Sequence, residues 1–506
     1  MNSFLRTLSM LSAALILTLT VAADTFGQSA DTTADVPNPA SPKNNAASTS
    51  TSGDKTSGKQ TPNLGNFPII VPSKFNAVAE TNRAANKAGA DSTSANSATP
   101  APTPAPTPAP SPQGQISQFS DRTFSRDRNA PQQFNLTAIK LIPHVNGLIG
   151  GFDQGAGFGF GLEFTTASGP ELKGYEFYAR AMGSTRRYRS GEVGARVGND
   201  NTRGEVWFNY TRRTRDNFFG FGSLIPDTAE TNFATERRSY NGIFAQRFFK
   251  KMEAGLYGSF SSTGSFRGED KNDIRIDTLF SGNPATVPVA NFLPGLGQNA
   301  RLISYGAFAE LDLRNNESGL TKGGYFYGRF GSVDGVDTDN QFSDFGWVET
   351  ELDGRVYVPV FTDKTSVAVR AYAVLRDPKG GSQIPYYEQG FFGGRSFGRG
   401  FKSFRFRGEN SVLFSGEVRQ TVWSMNGENT RGLDLVVFGD FGQVWGDNRS
   451  RVDPTILLNE NFDTRNYRTG FGGGIQYRIS KGVAFRLEVG ASNERTLGYL
   501  SLRPGF

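Results

Sequence analysis

From about Phe134 onward, apolar and polar residues alternate in short segments broken by Gly, Asp, Asn and Ser, the period of two that predicts β-strands. In Arg431-Gly-Leu-Asp-Leu-Val-Val-Phe-Gly-Asp-Phe441, one face carries Leu433, Leu435, Val437 and Phe441, and the other Asp434, Val436, Phe438 and Asp440. Over residues 483–489 the apolar face is Val483, Phe485, Leu487 and Val489, with Arg486 and Glu488 opposite. Residues 412–422 repeat the division and put Glu417 and Arg419 on one polar side. About sixteen such segments lie between Phe134 and Phe506, roughly 23 residues for each strand and its connection. A soluble sandwich alternates in the same way. An export signal, the length of the β region and aromatic strand ends such as Trp423, Trp445 and Phe506 favour an all-β fold of another kind, a transmembrane antiparallel β-barrel. Closure removes every unpaired edge, because lipid cannot satisfy a free backbone group. The longer connections, near residues 215–237, 264–299, 377–408 and 444–467, read as extracellular loops.

The chain before Phe134 has no such pattern. Residues 1–23 carry Arg6, an apolar run from Leu8 to Val21, and Ala22 and Ala23 before Asp24, which reads as a signal peptide cleaved near Ala23. After it there is no run of about 18 apolar residues, so helices are not expected to span a membrane. Residues 24–133 are dominated by Ser, Thr, Ala, Asn, Gly and Pro, the composition of a disordered tether. Seven prolines alternate from Pro100 to Pro112 and favour an extended polyproline II spacer. The island from Phe67 to Pro72 is a brief hydrophobic patch in that tether. Three parts are expected: 1–23 signal peptide, 24–133 tether, 134–506 barrel.

Composition narrows the chemistry. The 61 Gly and 43 Phe suit twisted strands, and a mean hydropathy of −0.43 is too polar for a helical membrane protein. With no Cys, thiol catalysis, disulfides and iron–sulfur clusters are excluded. The lone His144 rules out mechanisms needing two imidazoles. No catalytic residue, metal or cofactor is expected, and the protein is not read as an enzyme. The run 155–161 alternates glycine with Phe158 and Phe160, which makes a strand with a smooth inner face rather than a phosphate loop. Asp334, Asp337 and Asp339 read as a solvated turn, since Phe342 stands where a calcium loop needs Gly. Arg186, Arg187 and Arg189, and Arg212, Arg213 and Arg215, suit a lumen wall or anionic headgroups better than nucleic acid. His144 packs near the first strand without a role.

Four motifs carry a family likeness. They are Phe391-Phe-Gly-Gly-Arg-Ser-Phe-Gly-Arg-Gly-Phe401, Phe438-Gly-Asp-Phe-Gly442, Glu417-Val-Arg419 and Asn217-Phe-Phe-Gly-Phe-Gly222. In order and spacing the chain resembles the BamA/TamA superfamily of outer-membrane assembly and translocation barrels, also called the bacterial surface-antigen family. The first motif is similar to the family's sixth-loop signature, with Arg399-Gly400-Phe401 as its tip. The resemblance implies that this loop folds inward and that Arg399 meets Asp440 and Glu417 on the barrel wall, as a latch. Gly398 stands where the family has Val, Leu or Ile, which weakens packing at the tip. Residues 24–133 have no pattern for the periplasmic POTRA domains of family members with assembly roles. At the C-terminus, Leu500, Leu502 and Phe506 resemble an outer-membrane insertion signal, and Pro504 removes a backbone donor from the last strand.

The resemblance implies insertion or export of polypeptide, or of lipid, at the bacterial outer membrane. Expected partners are outer-membrane lipid and unfolded polypeptide; no nucleic acid is expected, and the protein is read as a monomer. The rival readings are a passive pore, and a structural surface protein in which the tether is the working part.

Overall fold

A computed structural model describes residues 135–501 except 143, 152–156, 167–173, 200, 250, 271–272, 284, 289–290, 316–321, 337–343, 426–430, 447–460 and 481–482. The expected signal peptide, tether, Leu502, Pro504 and Phe506 lie outside the described residues, as do Asp337 and Asp339.

The strands are β1 (Asn135–Ile142), β2 (Val145–Gly151), β3 (Gly159–Thr165), β4 (Gly174–Ser184), β5 (Arg189–Gly198), β6 (Thr202–Phe218) and β7 (Thr231–Phe248). They continue as β8 (Met252–Arg267), β9 (Ile274–Arg275), β10 (Asn299–Asp312), β11 (Gly323–Gly335), β12 (Gly346–Pro359) and β13 (Thr365–Pro378). A hairpin, β14 (Gly390–Phe392) and β15 (Phe406–Gly408), precedes β16 (Asn410–Ser424), β17 (Gly432–Trp445), β18 (Arg468–Ser480), β19 (Val483–Ser492) and β20 (Thr496–Ser501). Among the described residues eighteen strands share one sheet, and β14 and β15 form a second. Leaving out the two-residue β9, the large sheet is an antiparallel meander in chain order, one strand longer than the sequence pattern suggested. Among the described residues no ladder joins β1 to β20, so the expected complete closure is not seen there.

The sheet curls, and contacts across its inside show it. Ser223, between β6 and β7, exchanges hydrogen bonds with the Val444 backbone of β17, and Arg495 pairs with Asp227 at 2.9 Å. The faces divide as the alternation predicts. Leu435, Val437 and Phe441 of β17 and Phe485, Leu487 and Val489 of β19 are exposed, whereas Asp434, Asp440, Arg486 and Glu488 are buried. Phe160, Phe244, Leu256, Phe330 and Phe471 extend this outward apolar surface around the sheet, as a lipid-facing band requires. The inner wall consists of paired charges. Arg376 meets Glu349 at 2.6 Å, Arg370 meets Asp353 at 3.0 Å, and Arg203 meets Glu253 at 2.8 Å. Pairing is what allows so many ions to leave bulk water.

The expected loops need two corrections. Strands β6 and β7 run far into the segment 215–237, leaving only 219–230 as connection. The polar run that looked like a loop is strand with a register shift between Arg213 and Asp216, and those two residues pair inside at 2.7 Å. The connection 379–409 lies inside the barrel rather than outside it.

Candidate functional site

Register across four strands builds the site. Ser415, Asp440, Gly470 and Ser492 lie opposite one another across β16 to β19; the next row is Glu417, Phe438, Gly472 and Gly490, and the next Arg419, Val436, Gly474 and Glu488. Three rows thus put carboxylates on β16, β17 and β19 around a glycine-lined trough on β18. The trough is required by what lies in it. A Cβ at Gly470 would sit 1.9 Å from the Arg399 carbonyl oxygen, and one at Gly472 2.7 Å from the Phe438 ring.

Arg399 descends into this trough from the connection between β13 and β16. Its Nε and Nη2 donate to the two oxygens of Asp440 at 2.8 and 2.9 Å, and its backbone N–H donates to the same carboxylate at 2.8 Å. Nη1 donates to Glu417 at 3.0 Å and to Glu488 at 2.8 Å. The guanidinium carbon lies 3.4 Å from the centre of the Phe438 ring. Arg486 bridges Glu417 and Glu488 at 2.6 and 2.7 Å, and Arg419 meets Glu417. Three guanidinium groups therefore face three carboxylates, and the buried cluster is neutral. Burial alone would lower the Arg399 pKa, but the adjacent Asp440, then Glu417 and Glu488, hold it above its ordinary value.

The rest of the tip is fixed by shape. Gly400 has φ +95°, a Cβ there would meet the Ala491 carbonyl at 2.7 Å, and its N–H donates to the Tyr499 hydroxyl at 2.8 Å. Ser492 donates to the Gly400 carbonyl at 2.8 Å. Phe401 is fully buried against Phe392 and Phe406. The expected looseness at Gly398 is not found. Its φ is +128°, and a Cβ there would lie 2.5 Å from the Phe392 ring, which already fills the space.

The structure thus brings together Arg399, Gly400, Phe401, Glu417 and Asp440, all named from the sequence. Sequence reasoning missed Glu488 as a partner of Arg399, and Tyr499 and the glycines of β18 altogether. The run Gly470-Phe-Gly-Gly-Gly474 was a readable signal for a wall that something approaches closely. The motif 438–442 is explained residue by residue: Phe438 stacks on Arg399, Asp440 grips it, and Gly442 leaves room for Phe392, whose ring lies 2.0 Å from where a Cβ would be.

The fourth motif also reaches this loop, since Gly222 donates to the Arg407 carbonyl at 2.7 Å. Leu500 faces outward from β20. His144 is an exposed turn residue at φ +68°, with Nδ1 2.9 Å from the Thr165 carbonyl. Among the described residues no group of three metal-ligating side chains converges.

Comparison with known proteins bears directly on this site, because residues 293–493 match the Omp85 superfamily domain. The matched span covers 201 of the 506 residues. It contains Arg399, Glu417, Asp440 and Glu488, and the likeness to the BamA/TamA assembly barrels read from the motifs is borne out. Among solved structures, BamA from Haemophilus ducreyi lacking POTRA domains 1-3 aligns at 13% identity and TM-score 0.49, over 73% of this chain and 71% of that one. CdiB from Escherichia coli aligns at 15% identity and TM-score 0.46, over 77% and 70%. CdiB from Acinetobacter baumannii aligns at 11% identity and TM-score 0.41, over 71% of this chain and 57% of its own. No curated protein matches by sequence.

Proposed function

We propose that this Omp85 superfamily barrel sits in the bacterial outer membrane and inserts or exports polypeptide, with lipid as a second class of cargo, and that the loop 379–409 is a plug latched in the lumen by Arg399. The observation that carries the reading is the grip on Arg399: a loop held by carboxylates from three strands occupies the space that a permanent channel leaves open. A passive pore would gain nothing from filling its lumen, whereas a machine that admits cargo needs a closed resting state. The outward band, including Leu256 and Val437, faces lipid. Leu500, Leu502 and Phe506 are read as the signal by which the chain itself is inserted.

The test is to place a photocrosslinking residue in β1 and at Leu500 in β20 and identify what is captured in cells. Nascent outer-membrane or exported polypeptide at both positions supports the reading. Their absence, together with steady conductance of the purified protein in planar bilayers, favours the passive pore.

A further inference from the structure

The loop that carries Arg399 is held elsewhere too. Before reaching the hairpin β14–β15, it makes a 3-10 turn, Tyr386–Glu388, against β7 and β8. There Arg237 of β7 donates to Glu388 at 2.7 Å, across 151 residues of sequence, and both side chains are almost wholly buried. The Tyr387 hydroxyl donates to the Thr263 carbonyl of β8 at 3.2 Å, and the Tyr386 hydroxyl meets Ser265. The Tyr386 ring packs 5.8 Å from Phe218 and 5.4 Å from Phe233, so aromatic packing on β6 and β7 surrounds the ion pair.

The loop is therefore bound at two places. The half bearing Arg399 is tied to β16, β17, β19 and β20 and, through Arg407 to the Asn217 carbonyl at 2.7 Å, to the end of β6, while the half bearing Glu388 is tied to β7 and β8. A loop held at one point swings about that point when the other end is released; a loop held at two points spans the lumen. A buried ion pair adds little net stability over apolar packing of the same volume, yet losing one partner leaves a buried charge uncompensated. Such a pair is suited to fixing where a segment sits.

We infer that Arg237 and Glu388 form a second anchor, and that release of either this anchor or the Arg399 cluster lets the loop swing and partly opens the lumen, which opens furthest when both release. The inference rests on the reading of 379–409 as a plug. Arg237 and Glu388 are positioning residues, since neither is argued to touch cargo.

The full-length protein, reconstituted in planar bilayers, tests it. Arg237→Glu places two acids together and is expected to raise conductance severalfold over wild type. Glu388→Lys does the same from the loop side without altering a barrel strand, so it remains informative if the first variant folds poorly. The exchange Arg237→Glu with Glu388→Arg is expected to return conductance toward wild type, and Arg237→Glu combined with Arg399→Glu to exceed either alone. A heat-dependent mobility shift in detergent gels verifies that each barrel has formed. If Arg399→Glu conducts while Arg237→Glu and Glu388→Lys stay at the wild-type level, the second anchor is refuted and the plug reading stands. If Arg399→Glu also stays at that level, the plug reading fails and takes this inference with it.

Discussion

Arg399 is held by hydrogen-bond geometry as well as charge. Two parallel guanidinium bonds and one backbone bond end on Asp440, an arrangement that lysine cannot reproduce. Arg399→Lys should therefore loosen the tip although the charge is kept, and trypsin added to the intact protein should then cut within 395–407, a region whose burial is expected to keep it uncut in wild type. Gly470→Val probes the other side of the contact. Its branched side chain enters the space of the Arg399 carbonyl, 1.9 Å from a Cβ, while suiting the strand itself. Overpacking of this kind costs about 1–3 kcal/mol, so the same tryptic cuts should appear with an unchanged heat-dependent gel shift. If Gly470→Val stays resistant, the tip does not sit where the geometry puts it. Much of this site was legible at the level of single residues, because parity alone turns Glu417 and Asp440 to the polar face. Glu488 was on that face too, beside Arg486. Joining it to Arg399 needed the register of two further ladders, which alternation does not specify.

At the scale of the element, alternation predicted the strands where one face meets lipid and failed where it does not. Strands β16, β17 and β19 carry Val418, Leu435, Val437 and Leu487 outward, and their parity was read correctly. The upper parts of β6 and β7 carry polar residues such as Asp216, Thr235 and Arg237, and were taken for a loop. Beyond the lipid band a strand has no need of an apolar outer face, so the period-two signal fades while the ladder continues. Leu487→Arg tests the assigned faces: near the midplane it should cost about 2–4 kcal/mol, read as a lower urea midpoint of the barrel in lipid vesicles. Glu488→Gln, one residue along and facing inward, leaves the buried Arg399 cluster with one uncompensated positive charge and should admit trypsin to the loop, which Leu487→Arg should not. Tryptic cuts in the loop of Leu487→Arg as readily as in Glu488→Gln would contradict the assignment.

At the scale of the whole molecule, we propose that the composition break near residue 133 separates the barrel from a tether, since the sequence of 24–133 is dominated by Ser, Thr, Ala, Asn, Gly and Pro. Deleting 24–130 while keeping residues 1–23 should leave a barrel that inserts and shifts on heating; loss of the shift would show that the segment is needed for folding. What the sequence could not show is how far apart in the chain the plug's contacts lie. Arg399 meets a partner 89 residues away, and Glu388 one 151 residues away, on walls that only the curled sheet brings together. On the proposed function, this loop closes the lumen through Arg399. Arg399→Glu would set four acids side by side, Glu417, Asp440, Glu488 and the new one, and expel the tip. Adding Asp440→Arg should recover part of the loss, though not the bond from the Arg399 backbone. The most direct measurement is the single-channel conductance of Arg399→Glu beside wild type. Near-silence is expected for wild type, a large steady conductance for Arg399→Glu, and an intermediate value for the double variant; wild-type conductance in Arg399→Glu, with the barrel formed, would show that Arg399 does not hold the lumen shut.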